Sequence, residues 1–236
     1  ILRIERAVYG EDHLEVAGTL AGIASLNTSL GRYAQALPLY QRSLAIREEA
    51  LGPDHVDVAT SLNNLAELYR GTGQYAKAEP LYLQSLAIAE KARGPEHPDT
   101  GTSLNNLANL LYSTNRPSEA EPLYRRALSI NKVSYGPDHP LVASGLNNLA
   151  ELLSATNRHS EAEPLSRRAL SIYETSYGPD HPEVATSLNN LANLLRDTNR
   201  PSEAEPLYRR ALSISETSDG PDHPLVATSL NNLAGL

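Results

Sequence analysis

The chain has no cysteine, methionine, tryptophan or phenylalanine. Without cysteine there is neither a disulfide framework nor a thiolate nucleophile. Without phenylalanine and tryptophan, twelve tyrosines are the only aromatics, so the core must be built from Leu, Ala, Val, Ile and Tyr. No apolar run approaches the roughly 18 residues needed to span a bilayer. No secretory segment is visible at the start, and a cytoplasmic setting is expected. With no methionine even at residue 1, the chain reads as a fragment, a processed product or the ordered part of something longer. Basic residues are in the minority. The net charge of -8 disfavours nucleic acid or an anionic membrane as partner. Phosphate loop, paired catalytic carboxylates and nucleophile motif are also missing. No enzyme and no cofactor are expected.

What is present is a period. Gly-Pro-Asp-His stands at Gly52–His55, Gly136–His139, Gly178–His181 and Gly220–His223. It varies to Gly-Pro-Glu-His at Gly94–His97 and to Gly-Glu-Asp-His at Gly10–His13. The interval is 42 residues throughout, without insertion. Residues 136–177 and 178–219 are identical at 32 of 42 positions. A fixed period of this length predicts stacked helical units instead of one globular core. The spacing gives one continuous array over 1–236. It has a partial unit 1–9, full units 10–51, 52–93, 94–135, 136–177 and 178–219, and a partial unit 220–236.

Each unit reads as two helices of about 15–19 residues. The first starts after Asp-His, with His181 at the N-cap and Pro182 at the first helical position, where a missing N–H costs nothing. Val184, Leu188, Leu191, Leu194 and Leu195 follow at helical spacing. The stop falls at a column that holds only Gly31, Gly73, Asn115, Asn157 and Asn199, the residues that tolerate a left-handed C-terminal cap. Capping boxes are expected to open the second helix at Ser118–Glu121, Ser160–Glu163 and Ser202–Glu205. Pro122, Pro164 and Pro206 would then fall at the fourth helical position, deleting only the first intrahelical bond.

These residues resemble the tetratricopeptide repeat. Leu62, Leu65, Ala66 and Tyr69 match its first helix, and Gly73, Tyr75, Ala78, Tyr82 and Ser85 match its turn and second helix. The usual unit has about 34 residues. The longer variant with Ser-Leu-Asn-Asn-Leu-Ala resembles the repeats of kinesin light chains and related bacterial proteins. The resemblance covers the whole chain. It implies an all-α right-handed solenoid of antiparallel helix pairs, about twelve helices here, with first helices lining a concave face. It implies a protein or peptide partner.

Six of seven histidines share one column, each after an acidic residue. Neighbouring helix axes lie ~8–10 Å apart, whereas zinc–nitrogen bonds are ~2 Å. No two of these histidines are expected to share an ion, so no metal site is expected and the column is read as caps. His159 stands apart and is read as a turn residue. The pairs Arg125-Arg126, Arg167-Arg168 and Arg209-Arg210 follow acidic residues on the same helix, which predicts a salt-bridged outer face over a phosphate-binding stripe.

The candidate binding surface follows from mapping the family's first-helix face onto this chain. The column Asn63, Asn105, Asn147, Asn189, Asn231 would either pair with an extended peptide backbone or bridge neighbouring helices. Variation concentrates one and two turns on, in Glu67, Asn109, Glu151 and Asn193, and in Arg70, Tyr112, Ser154 and Arg196. Such columns suit recognition of a non-repeating ligand. Kinesin light chains use this groove for short acidic peptides containing an aromatic residue. Here the groove would carry mixed charge. The alternative is a spacer or assembly module without a groove ligand. Neither end shows a polar capping helix, so head-to-tail self-association is a further expectation.

Overall fold

A computed structural model of the chain describes residues 2, 8–218, 220 and 224–235. Among them are eleven helices and no strand. The twelfth expected helix, over residues 1–9, lies largely outside the described residues, as does His223. The chain divides into two compact units, residues 1–123 and 124–236. The first holds α1 (Leu14–Ser29), α2 (Tyr33–Leu51), α3 (Val56–Gly71), α4 (Tyr75–Arg93), α5 (Pro98–Ser113) and the start of α6 (Pro117–Tyr135). The second holds the rest of α6, then α7 (Pro140–Ala155), α8 (His159–Tyr177), α9 (Pro182–Asp197), α10 (Pro201–Ser218) and α11 (Pro224–Ala234). Odd-numbered elements are first helices and even-numbered ones second helices. Within the first unit α1 packs on α2, α3 on α2 and α4, and α5 on α4; within the second α7 packs on α8, α9 on α8 and α10, and α11 on α10.

The helix starts follow from the histidine column. His13, His55, His97, His139 and His181 sit at N-caps in extended conformation. Each ring accepts the backbone N–H two residues on at its Nδ1, at 3.1–3.2 Å. That satisfies one of the four N–H groups a helix start leaves orphaned. Rings of Tyr9, Tyr135 and Tyr177 pack against His13, His139 and His181 with centroids 4.4–4.8 Å apart.

The stops are Schellman motifs. Asn115, Asn157 and Asn199 adopt φ of 59°, 61° and 58°, and Gly31 and Gly73 occupy the same left-handed region. In each copy the next residue's N–H returns to the carbonyl five back, as in Arg200 to Leu195 at 2.8 Å.

The second helices begin differently from expectation. α8 has Arg158 at its N-cap, with no side-chain cap bond, and Ser160 already lies inside the helix. Pro117 and Pro201 open α6 and α10 in the same register. Every second helix starts at this column, at Tyr33, Tyr75, Pro117, His159 and Pro201, one residue before the serine column, so the serine is already the second helical residue and the capping boxes do not form. Pro122, Pro164 and Pro206 therefore stand sixth in their helices, and the bond each removes is an interior one. His159 is likewise the first residue of α8, not a turn residue.

The core is what the period holds constant. Val16, Val58, Val142 and Val184 are each fully buried, as are Ala24, Ala66, Ala108 and Ala192. Leu20, Leu62, Leu104, Leu146 and Leu188 fill the space between helices. Burying one such leucine is worth ~1.5–3 kcal/mol. Tyr82 and Tyr208 are the largest side chains without solvent contact.

Candidate functional site

In the first unit, Thr60, Asn63, Glu67 and Arg70 recur at spacings that place them on one face of α3. Thr102, Asn105, Asn109 and Tyr112 do the same on α5. Glu67 is the hub of its group. It accepts Arg70 Nε at 3.0 Å and Arg70 Nη2 at 2.5 Å. It also accepts the hydroxyl of Tyr82, from α4, at 2.6 Å. Burial pushes the Glu67 carboxyl up, but the bonds from Arg70 and Tyr82 and the charge of Arg70 outweigh it, so the group is held below its ordinary value. Burial, together with Glu67, pushes the Tyr82 phenol up. The bond to Glu67 likewise raises Arg70. Arg70 is thus a cation already matched by its own helix. Asn63 Oδ1 accepts Asn106 Nδ2 at 3.1 Å, joining α3 to α5. Asn105, Asn109 and Tyr112 are half-buried and each is engaged in interactions of its own.

In the second unit the asparagines go inside. Asn147 and Asn189 are 8% and 7% exposed. Their amide nitrogens donate to Ser187 at 2.6 Å and Ser229 at 3.1 Å, bridging α7 to α9 and α9 to α11. At the next column Asn193 Oδ1 accepts the Tyr208 hydroxyl at 2.6 Å. Burial raises the Tyr208 phenol, with Arg196 opposing. Arg196 has no carboxylate at the Glu67 position and leans on Asp197 instead, at 3.2–3.3 Å. Glu151 is exposed and engaged. In that repeat Ser166 replaces the tyrosine, and Ser154 lies 3.4 Å from His159 Nδ1.

The tie between the Glu67/Asn193 column and the buried tyrosines was missed in the sequence. Its signal was there: Tyr82 and Tyr208 stand 15 residues after Glu67 and Asn193, and repeat four loses the tyrosine. Sequence reasoning also missed a link between repeats. Arg116 grips Glu119 on its own helix and Glu79 one repeat back, both at 2.8 Å. Arg200 does the same with Glu203 and Glu163, both at 2.7 Å. The first junction carries Gln74 and Leu37 at these places.

The arginine pairs lie in ion pairs on the second helices. Arg167 meets Glu163 at 2.8 Å, Arg209 meets Glu205 at 2.6 Å, and Arg210 meets Glu174 at 2.5 Å. Arg168 pairs with Asp138, and Arg42 with Asp12, both acids of the glycine-led tetrad. Among the described residues no cluster of acidic or histidine side chains is arranged to hold a metal ion. Among them, too, no helix is long and apolar enough to cross a membrane.

The tetratricopeptide repeat model matches residues 1–49, 15–91, 57–132, 119–175 and 161–217. No curated protein matches the sequence. Solved structures do. BtubC (BKLC) from P. vanneervenii is 25% identical and superposes with a TM-score of 0.76 over 94% of this chain and 87% of that one. A kinesin light chain-like protein of nearly identical TPR-like repeats from Podosopora anserina is 24% identical, with a TM-score of 0.71 over 88% of this chain and 98% of that one. YrrB, a TPR protein with an unusual peptide-binding site, is 18% identical, with a TM-score of 0.51 over 98% of this chain and 97% of that one. Antiparallel helix pairs in tandem, capped alike in every repeat, and these matches together show that the chain belongs to the tetratricopeptide repeat family.

Proposed function

We propose that the chain is a protein-interaction scaffold that holds an extended peptide against the first-helix faces of its units. Tetratricopeptide repeats imply a protein–protein interaction scaffold, generally without catalysis. What supports a peptide on these faces is the distribution of differences. Between the near-identical repeats of 136–177 and 178–219, Glu151 becomes Asn193 and Ser154 becomes Arg196, both on the first helix. These positions are exposed or half-buried, while the core columns Val142/Val184, Leu146/Leu188 and Ala150/Ala192 stay fixed. In the second unit Arg196 would meet an acidic group on the ligand. In the first, Tyr112 and the matched Glu67–Arg70 pair would meet uncharged or aromatic groups. Asn63 and Asn105 would hold ligand backbone. Asn147 and Asn189 spend their amide nitrogens on serines, so they would contribute through position more than contact.

Peptide display against the folded chain, followed by mapping of the bound peptide by NMR, tests this. The expected result is a set of shifts on α3, α5, α7 and α9 centred on the variable columns. Peptides that map only to second helices, or no selected peptide at all, would overturn the reading in favour of a spacer.

A further inference from the structure

Residues 47, 89, 131, 173 and 215 share one column of the second helices, and every copy differs: Arg47, Ala89, Asn131, Tyr173, Ser215. On α2 the Arg47 guanidinium reaches to the next first helix. Its Nη1 donates to the Ser61 hydroxyl at 2.8 Å and to the main-chain carbonyl of Asp57 at 3.2 Å. One repeat on, Ser103 and Asp99 take the places of Ser61 and Asp57, but Ala89 takes the place of Arg47. The space is open there. A cavity of about 210 Å³ lies between α3, α4 and α5, bounded by Asn63, Ser85, Ala89, Asp99, Thr102 and Ser103.

The lining is rich in acceptors. Ser85 gives its proton to the Ala59 carbonyl at 2.9 Å. Thr60 and Thr102 give theirs to Val56 and Pro98, each at 3.2 Å. Each hydroxyl oxygen keeps lone pairs for an incoming donor. The Asp99 carboxylate, half exposed, stands at the rim and faces the Arg93 guanidinium at 3.6 Å.

We infer that this cavity receives a guanidinium group, the side chain of an arginine in the bound peptide. The inference rests on the first-helix faces being the peptide surface, and it adds a basic residue to the ligand. Three observations converge. The chain fills the equivalent place one repeat earlier with its own arginine. The cavity offers hydroxyl and carboxylate acceptors to a fork of N–H donors. The net charge of -8 draws a cationic partner.

The test uses the whole chain, followed by amide NMR, titrated with N-acetyl-arginine amide and with its neutral citrulline counterpart. Saturable shifts are expected at Asn63, Ser85 and Ser103 with the arginine compound. The citrulline compound should bind about tenfold more weakly, the loss expected when a charged donor becomes neutral. Ala89→Arg supplies the chain's own guanidinium and should abolish the response. Thr102→Leu, at the exposed rim, should do the same by narrowing the mouth and serves if the first variant does not fold. Equal response to both compounds, or shifts that persist in the folded variants, would overturn the guanidinium site. A selected peptide that shifts Tyr112 and Arg70 but none of the cavity residues would also overturn it, while leaving the groove reading intact.

Discussion

Repeats two and five place the same three positions in the same geometry and wire them differently. In both, a tyrosine buried on the second helix donates a 2.6 Å hydrogen bond to the first-helix residue 15 positions before it. In repeat two the acceptor is the Glu67 carboxylate, which also clasps Arg70 through two bonds. In repeat five it is the Asn193 amide, which carries no charge, so Arg196 turns to Asp197. The scaffold bond is common to both, and the carboxylate that pairs with the arginine is not. Under the proposed function, one side chain would serve packing on one side and recognition on the other. A single column can therefore vary in charge without loss of the fold, provided it keeps an acceptor.

The largest expected effect tests the shared bond. Tyr82→Phe removes a bond to a carboxylate and should destabilise by ~1.5–3 kcal/mol, whereas Tyr208→Phe removes one to an amide and should cost ~0.5–1.5 kcal/mol. Equal losses in denaturant titrations would erase the distinction between the two repeats. Next come the left-handed caps. Gly73 and Asn199 occupy the same conformation, at φ of 73° and 58°. Gly73→Ala and Asn199→Ala should each cost ~1–2 kcal/mol, while Asn199→Gly should stay close to neutral. A neutral Gly73→Ala would mean that the stop does not depend on handedness.

A pH series separates the repeats in another way. The Glu67 carboxyl is held below its ordinary value of 4.5. A depressed pKa adds stability that is fully present above the unfolded value and is lost as pH falls through the folded one. Stability should therefore drop below about pH 4.5 with a Glu67 contribution that Glu67→Gln removes, leaving a shallower acid slope. Asn193 does not titrate, so Asn193→Asp should create such a slope in repeat five. Identical acid slopes for Glu67→Gln and the parent chain would contradict the arrangement seen at Arg70. The smallest effect belongs to the exposed links between repeats. Arg200→Ala should lower stability less than any change above, because exposed ion pairs contribute little, and high salt should hide the difference.

Much of this architecture was legible because every element is written several times. A lone histidine before a helix says little. Five in one column, each preceded by an acidic residue and three followed by a proline at the first helical position, read as caps, and the ring nitrogens take that role. The restriction of one column to Gly and Asn named the positive φ that the backbone adopts. The start of the second helix was misread because two signals compete within three residues. Pro201 at the first helical position and Ser202 as a cap cannot both hold, and the first position prevails in every copy, including those that carry Tyr33, Tyr75 or His159 there. The face itself was harder. Period and spacing put Asn147 on the first-helix surface, but whether its amide points outward or into a neighbouring serine depends on packing between repeats. Ser187 lies 40 residues away, and no local pattern couples the two.

The central claim is that constant columns hold the fold while the variable first-helix columns carry recognition. The most direct measurement is the affinity of one display-selected peptide for the parent chain and for Arg196→Ala, with thermal unfolding recorded in parallel. The account predicts a loss of affinity of about tenfold, as for removal of one charge-assisted contact, with an unchanged melting temperature. Full affinity in Arg196→Ala and in the corresponding Tyr112→Ala variant would contradict it.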